Sequence, residues 1–390
     1  MSQRQIARSD DLRRLRDAGY GLRIVGGALV VHPVPFLDAK GQVGVGSLVC
    51  DLDLIGDRTT KPRSHVAYFA GGTPHDTAGR RLAAIINSDS VQQKGGLTTS
   101  HLLSSKPSRS GYADYFTKVT TYATAISSHA EAVDPDATPQ CFPPVPSDDD
   151  EDPFLYIDTA SSRAGVDTSA FHPLAIGIVG LGGTGVYVLD LVTKTPVRAI
   201  GCYDGDVLLQ HNAFRSPGAV TLEDLETAPN KAEHWVSQYR RFRRGLSAHP
   251  YRIDEANVAE LHQYDFVFVC VDDNEARRLI AASLTEAAIP CIDTGMGLYR
   301  TDASQLGGIV RTTTATPTYH SHLNDRLPRG TDDDDDEYRT NIQIAELNAL
   351  NATLAVIKWK KLVGFYADQD QEHESGYMLA SNCIVNEDSP

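Results

Sequence analysis

The apolar run Leu174-Ala175-Ile176-Gly177-Ile178-Val179 leads directly into Gly180-Leu181-Gly182-Gly183-Thr184-Gly185. No other junction in the chain constrains its fold as strongly. A short continuous apolar run suits a strand buried on both faces, as in a parallel sheet covered by helices. The glycines permit a tight turn and let backbone N–H groups approach phosphate or ribose oxygens at the start of the following helix. That helix is expected through 187–193.

Further strands are expected at 197–203, 265–271 and 288–293, with a helix over 274–287 and a last strand at 308–311. Strand and helix alternate, which predicts an α/β fold with a Rossmann-like, doubly wound, mostly parallel sheet. The glycine loop alone says only that a nucleotide can be held. Asp204, about twenty residues on and at the end of the second strand, suits ribose hydroxyls, as it would in a dinucleotide-binding dehydrogenase.

A chain of 390 residues can bury two ordinary cores. The clearest boundary is the Pro- and Asp-rich stretch 130–153, which lacks apolar periodicity. The expected organisation is a smaller α+β domain over 1–135, a linker over 136–153, and the α/β domain over 154–390. The first domain shows short apolar runs between Gly and Pro turns over 21–56 and a helix near 112–130. Its His65, His75 and His101 do not have metal-ligand spacing.

The formal charge of −15 argues against non-specific nucleic-acid binding, and much of it sits in acidic runs at 148–152 and 332–337, read as solvated loops or as a docking patch for a basic partner. No apolar stretch is long enough for a membrane helix, and none at the N-terminus suits a signal peptide. Six cysteines contain no CxxC pair, so neither a disulfide framework nor a four-cysteine zinc site is expected. The reading is a cytoplasmic protein.

Beyond the loop, the chain reads Asp204-Gly205-Asp206-Val207, His211-Asn212-Ala213-Phe214-Arg215, Lys231, and Cys270-Val271-Asp272. This series resembles the HesA/MoeB/ThiF family within the ubiquitin-activating superfamily, over roughly 154–366. The resemblance implies an adenylyltransferase that joins a carboxylate to the α-phosphate of ATP and expels pyrophosphate. It places Gly180, Gly182, Gly183 and Gly185 along the nucleotide, with Asp204 on the ribose and Asp206 completing the DxD. Arg215 and Lys231 supply the cations such chemistry needs, Asn212 donates to a phosphate or ribose oxygen, and Asp272 is the Mg²⁺ ligand. Family members also use an arginine before the glycine strand, here Arg163, and commonly act as homodimers.

The chain departs from the pattern in two ways. Thr318-Tyr319-His320-Ser321 stands where relatives carry a first zinc pair, so no zinc is expected. No cysteine lies between Cys291 and Cys383 to form a thioester. Three routes remain: direct transfer of the adenylate, an oxyester on a Ser or Thr within 312–321, or Cys383. Cys291, in an apolar strand, reads as a buried thiol.

A helix over 341–364 carries Ile342, Ala345, Leu350, Leu354 and Ile357 on an apolar face that Asn348 and Asn351 interrupt; it reads as a core helix with satisfied amides or as a subunit interface. Upstream, His65-x-x-Tyr68-Phe69-x-Gly71 and Gly111-Tyr112-x-Asp114-Tyr115 resemble a domain that precedes ThiF-type domains in bacterial operons. Those operons also encode ubiquitin-like and conjugating-enzyme-like proteins. The resemblance implies a ubiquitin-like protein ending in glycine as substrate, a conjugating partner, and a bacterial pathway that serves antiphage defence. Other readings are a sulfur-carrier protein, a peptide or a tRNA as substrate, or a non-catalytic nucleotide-binding scaffold.

Overall fold

The computed structural model describes residues 2–56, 58–147, 152–157, 166–328 and 342–387. Arg163 and most of the two acidic runs lie outside the described residues. The chain divides into two compact units, 1–150 with 156–165, and 151–155 with 166–390.

The first unit is built on an antiparallel sheet. Its strands are β1 (Leu22–Val25), β2 (Ala28–Leu37), β3 (Val43–Asp51), β4 (Val66–Ala70), β5 (Ile86–Lys94) and β6 (Leu97–Ser104), in spatial order β1-β2-β3-β4-β6-β5. Helices α1 (Ser2–Arg8), α2 (Asp10–Asp17) and α3 (Tyr115–Glu131) accompany it. Strand alternation turns Leu29, Val31, Leu48 and Phe69 into one core with Leu12, Leu15, Val119 and Ile126 of α2 and α3. Asp114 caps α3, accepting from the Thr117 N–H at 2.7 Å. The Pro-rich stretch expected as a linker is partly attached here. The Phe142 N–H donates to the Gly19 carbonyl at 3.0 Å, and Val145–Pro146 pairs with Tyr156–Ile157.

The second unit contains β7 (Ala175–Val179), α4 (Gly183–Thr193), β8 (Ala199–Tyr203), α5 (Gln210–Ala213), α6 (Leu222–Thr227) and α7 (Lys231–Tyr239). It continues with β9 (Leu246–His249), β10 (Phe266–Val269), α8 (Asn274–Glu286), β11 (Cys291–Arg300) and β12 (Leu306–Ala315). The last elements are α9 (Leu323–Arg326), α10 (Ala345–Leu362), β13 (Glu374–Met378) and β14 (Cys383–Glu387). The sheet order is β9-β8-β7-β10-β11-β12-β13-β14. Strands β9 to β11 are mutually parallel, and β12 to β14 extend the sheet antiparallel.

Every residue of β7 is buried because helices cover both faces of the sheet. One core gathers Ile176, Ile178, Val188, Leu189, Trp235 and Trp359; the opposite one gathers Val179, Tyr203, Val269, Ile280 and Leu284. The strand order reverses between β7 and β10, so their carboxyl ends open a crevice there. The doubly wound sheet behind a smaller β-rich α+β unit is the expected fold. Strand β9 is the one parallel strand absent from the sequence expectation, since Leu-Ser-Ala-His carries little apolar signal.

The long C-terminal helix differs from its expected face. α10 buries Leu347, Asn348, Asn351, Ala352, Ala355, Val356 and Trp359, whereas Ile357 is 39% exposed. This buried stripe has the same helical period but is rotated about the axis from the expected one. Packing against α4 and β11 sets that rotation.

Candidate active site

The crevice at the strand reversal holds a cavity of about 1080 Å³. Its wall includes the glycine loop, Asp204, Asp206, Arg215, Lys231 and Asp272. The loop is held closed by its own backbone. Gly180 sits at φ +88°, and a Cβ there would lie 2.6 Å from the Cys270 carbonyl oxygen. At Gly185 a Cβ would lie 1.8 Å from the Gly180 oxygen, so only glycine fits this turn. Around Gly182, by contrast, an added Cβ meets nothing within 4 Å, leaving open space at the start of α4. The first turn of α4 therefore presents N–H groups to the cavity.

Asp204 has two tasks. Its Oδ2 accepts from the Leu181 N–H at 2.6 Å and its Oδ1 from the Asp206 N–H at 2.8 Å, so it braces the glycine loop as well as lining the cavity. Burial pushes its pKa above the ordinary carboxylate range, opposed by the Lys231 charge 3.9 Å away. Asp206 accepts from Lys231 Nζ at 2.9 Å and from Arg252 at 2.7 Å, which hold its pKa below the ordinary range. Asn230 caps α7 and donates its amide to the Asp204 and Asp206 carbonyls at 2.8 and 3.1 Å. One asparagine thus ties the aspartate pair to the helix that begins with Lys231.

Arg215 lines the cavity with its Nε buried and unpartnered among the described residues. Burial lowers its pKa, and Asp272 opposes that shift. Asp272 is exposed at the cavity mouth, just before Asp273, which caps α8. Asn212 is placed otherwise than expected. It is 2% exposed and absent from the cavity wall, and its Oδ1 caps α5 by accepting from the Leu209 N–H at 2.9 Å. Local helix capping has claimed the acceptor end, while its Nδ2 has no partner among the described residues.

Several cavity residues escaped the sequence reading. Arg252 lies on a loop after a strand too polar to recognise. Arg277 and Arg311 converge on Asp293, with Arg277 Nε 2.6 Å from Oδ1 and Arg311 2.9 Å from Oδ2. Two guanidiniums share one buried carboxylate, so the cluster is net positive. Burial outweighs the pull of both guanidiniums and pushes the Asp293 pKa upward. Asn348 and Asn351 also line the cavity, each 1% exposed. They are not satisfied amides: Asn348 Nδ2 and Asn351 Oδ1 have no hydrogen-bond partner among the described residues. Asn230, also not singled out from the sequence, carries a local signal as an Asn directly before a helix; the long-range pairings have none.

The nucleophile candidates fall outside the cavity wall. Cys291 is buried, and desolvation pushes its thiol up to about 12. Cys383 is exposed on β14 rather than mobile in a tail. Thr312, Thr313 and Thr314 are buried within β12, and none of the residues 312–321 lines the cavity. An oxyester on that segment therefore lacks an acceptor position beside the crevice. Among the described residues no group of three or more His, Cys, Asp or Glu could hold a metal ion. In the first unit, His65, His75 and His101 each hydrogen-bond to Ser104, Thr73 and Asp89 respectively. No helix among the described residues is long and apolar enough to cross a membrane.

A model described as the ThiF family matches residues 167–383, and the chain belongs to that family. Residues 10–159 match a model described as "Domain of unknown function (DUF6791)". Similar solved structures include PaaA, at 17% identity and a TM-score of 0.43, covering 56% of this chain and 65% of that one. They also include the microcin C7 biosynthetic enzyme MccB with N-formylated MccA, at 16% identity and a TM-score of 0.45, covering 57% and 66%. E. coli MccB with ATP is similar at 17% identity and a TM-score of 0.42, covering 57% and 65%. The chain spans less than two thirds of the length of these structures. No curated protein matches it.

Proposed function

We propose that this chain is an ATP-dependent activating enzyme that adenylates the C-terminal glycine of a ubiquitin-like protein and passes it to a conjugating-enzyme-like partner. The observation that carries the reading is one cavity lined by the glycine loop, the cations Arg215 and Lys231, and the carboxylate of Asp272. The residues fit ATP and Mg²⁺. The first turn of α4 offers N–H groups and room above Gly182, Arg215 offers a buried N–H, and Asp272 is a hard oxygen donor.

In the reaction a carboxylate oxygen of the substrate attacks the α-phosphorus, the bond to the β-phosphate breaks, and pyrophosphate leaves. Two anions must meet, and negative charge grows on the departing phosphates. Arg215, partly buried, and Lys231, buried beside Asp206, are the cations placed to neutralise that charge. Asp206 holds Lys231 in place until phosphate oxygens compete for it. Asp204 orients the loop and offers its remaining lone pairs to ribose hydroxyls. Mg²⁺, held by Asp272, would supply charge compensation on the phosphates. Arg163 would add a further cation from outside the described residues.

Among the described residues no serine lines the cavity, and burial pushes the thiol of the one lining cysteine, Cys270, up to about 12. Direct transfer of the adenylate from a homodimer is therefore the favoured second step. A bacterial conjugation pathway with a defence role is the setting this chemistry suits. The test is ATP–pyrophosphate exchange driven by ubiquitin-like proteins ending in Gly-Gly. Exchange must depend on that protein and fall at least a hundredfold, about 3 kcal/mol, in Lys231→Ala and Asp272→Ala. Exchange that survives both changes removes this site from the reaction. Nucleotide binding without exchange favours a scaffold.

A further inference from the structure

The two unmet amides of α10 carry more than a packing role. Asn351 donates its Nδ2 to the Gly295 carbonyl at 3.0 Å. A carbonyl accepts only, so that end of the amide is fixed as the NH₂ and the unmet end is Oδ1, an acceptor. Three residues earlier, on the same helical face, Asn348 Oδ1 accepts from Thr184 Oγ1 at 3.0 Å and its Nδ2 is unmet. That Nδ2 lies against the glycine loop, 2.2 Å from where a Cβ on Gly183 would sit. Buried amides are normally paired, because an unmet group keeps its full desolvation cost.

An unmet acceptor cannot be satisfied by phosphate or carboxylate oxygens, which are themselves acceptors. It requires an N–H or O–H. The ribose hydroxyls belong with Asp204, at the end of β8. Gly295 lies on β11, three strand intervals away, roughly 14 Å at ordinary strand spacing. The N–H donors that remain are the adenine amino group and the main chain of the other reactant, and the charge beside Gly295 favours the latter. Beside Gly295 stands the net positive Arg277–Asp293–Arg311 cluster, which favours a nearby carboxylate.

We infer that Asn351 accepts the last main-chain N–H of the substrate, and that Asn348 Nδ2 donates to its terminal carboxylate or to the phosphate that carboxylate attacks. This rests on the adenylation reading and names what that site selects: a peptide terminus with a free N–H next to its carboxylate. A terminal proline or an N-methylated residue lacks that donor.

The test uses the full chain, ATP and two synthetic peptides ending in Gly-Gly. In one the last linkage is an amide; in the other it is an ester, which replaces the N–H by oxygen and leaves the carboxylate intact. The wild-type chain is expected to use the amide peptide in pyrophosphate exchange with kcat/KM roughly tenfold or more above the ester. Asn351→Leu should bring that ratio near one while ATP binding by calorimetry is retained. A wild-type chain that treats the two peptides alike, or an Asn351→Leu chain that keeps the ratio, overturns the assignment. ATP binding with no exchange from either peptide also overturns it and leaves the nucleotide site standing. Failure to bind ATP at all removes the adenylation reading itself.

Discussion

Single residues in the glycine loop differ sharply in what they permit. Gly185 faces a backbone oxygen 1.8 Å from any added Cβ, whereas Gly182 faces open space at φ −73°. Gly185→Ala is expected to lower stability by about 2–3 kcal/mol, read from denaturant midpoints, because the turn must open. Gly182→Ala should leave the midpoint within about 0.5 kcal/mol yet weaken ATP binding, since its methyl points into nucleotide space. Equal loss of stability in both variants would show that the loop tolerates no side chain for packing reasons alone. Asp204 belongs to the same scale. Asp204→Asn would turn one acceptor oxygen into a donor facing either the Leu181 or the Asp206 N–H, and so unlatch the loop.

Elements are joined at the C-terminal edge by charge and ring contacts. Lys358 and Lys361 of α10 meet Asp368 and Glu372 at 2.8 to 3.5 Å, with Lys358 only 4% exposed. Removing one member of such a buried group strands the others. Lys358→Met is expected to cost about 3–5 kcal/mol in chemical denaturation, while chelators leave the melting temperature unchanged. Tyr319 stacks on His322 and meets His373 at a tilt nearby, at ring separations of 4.9 and 4.5 Å. Burial lowers the pKa of His373, as it does for His234 and His249. With folded-state values depressed, the unfolded chain binds more protons below the ordinary histidine pKa of about 6.5. Stability is therefore complete above that value and falls as pH drops through the lower folded values. Urea midpoints should decrease between about pH 7.5 and about pH 5.5, and less steeply in His373→Gln.

At the scale of the whole molecule, each unit has its own core. The second unit also needs residues ahead of its first strand. Arg244 donates to the carbonyls of Asp152 and Phe154 at 3.1 and 3.0 Å, and the Phe154 ring lies 5.3 Å from Phe242. A fragment spanning 151–390 is accordingly expected to fold and bind ATP with the affinity of the full chain, measured by calorimetry. A fragment that folds but has lost ATP affinity would show that the first unit completes the site.

The apolar run into the glycine loop determined the strand–turn–helix and, with the strands after it, the doubly wound sheet. Local physics suffices there: burial on both faces writes a continuous apolar run, and close turns admit only glycine. Asp204 was legible from its place at the end of the second strand, and Arg215, Lys231 and Asp272 from the resemblance; all four line the same crevice. Tertiary structure alone decided that Asn212, which caps its own helix locally, is buried away from the cavity wall. It also decided that Arg277, Asp293 and Arg311 meet, and that α10 presents Asn348 and Asn351 to the cavity rather than Ile357 to the core. Those outcomes depend on the rotation of one helix and on pairings between distant strands. Neither leaves a trace in the spacing of neighbouring residues.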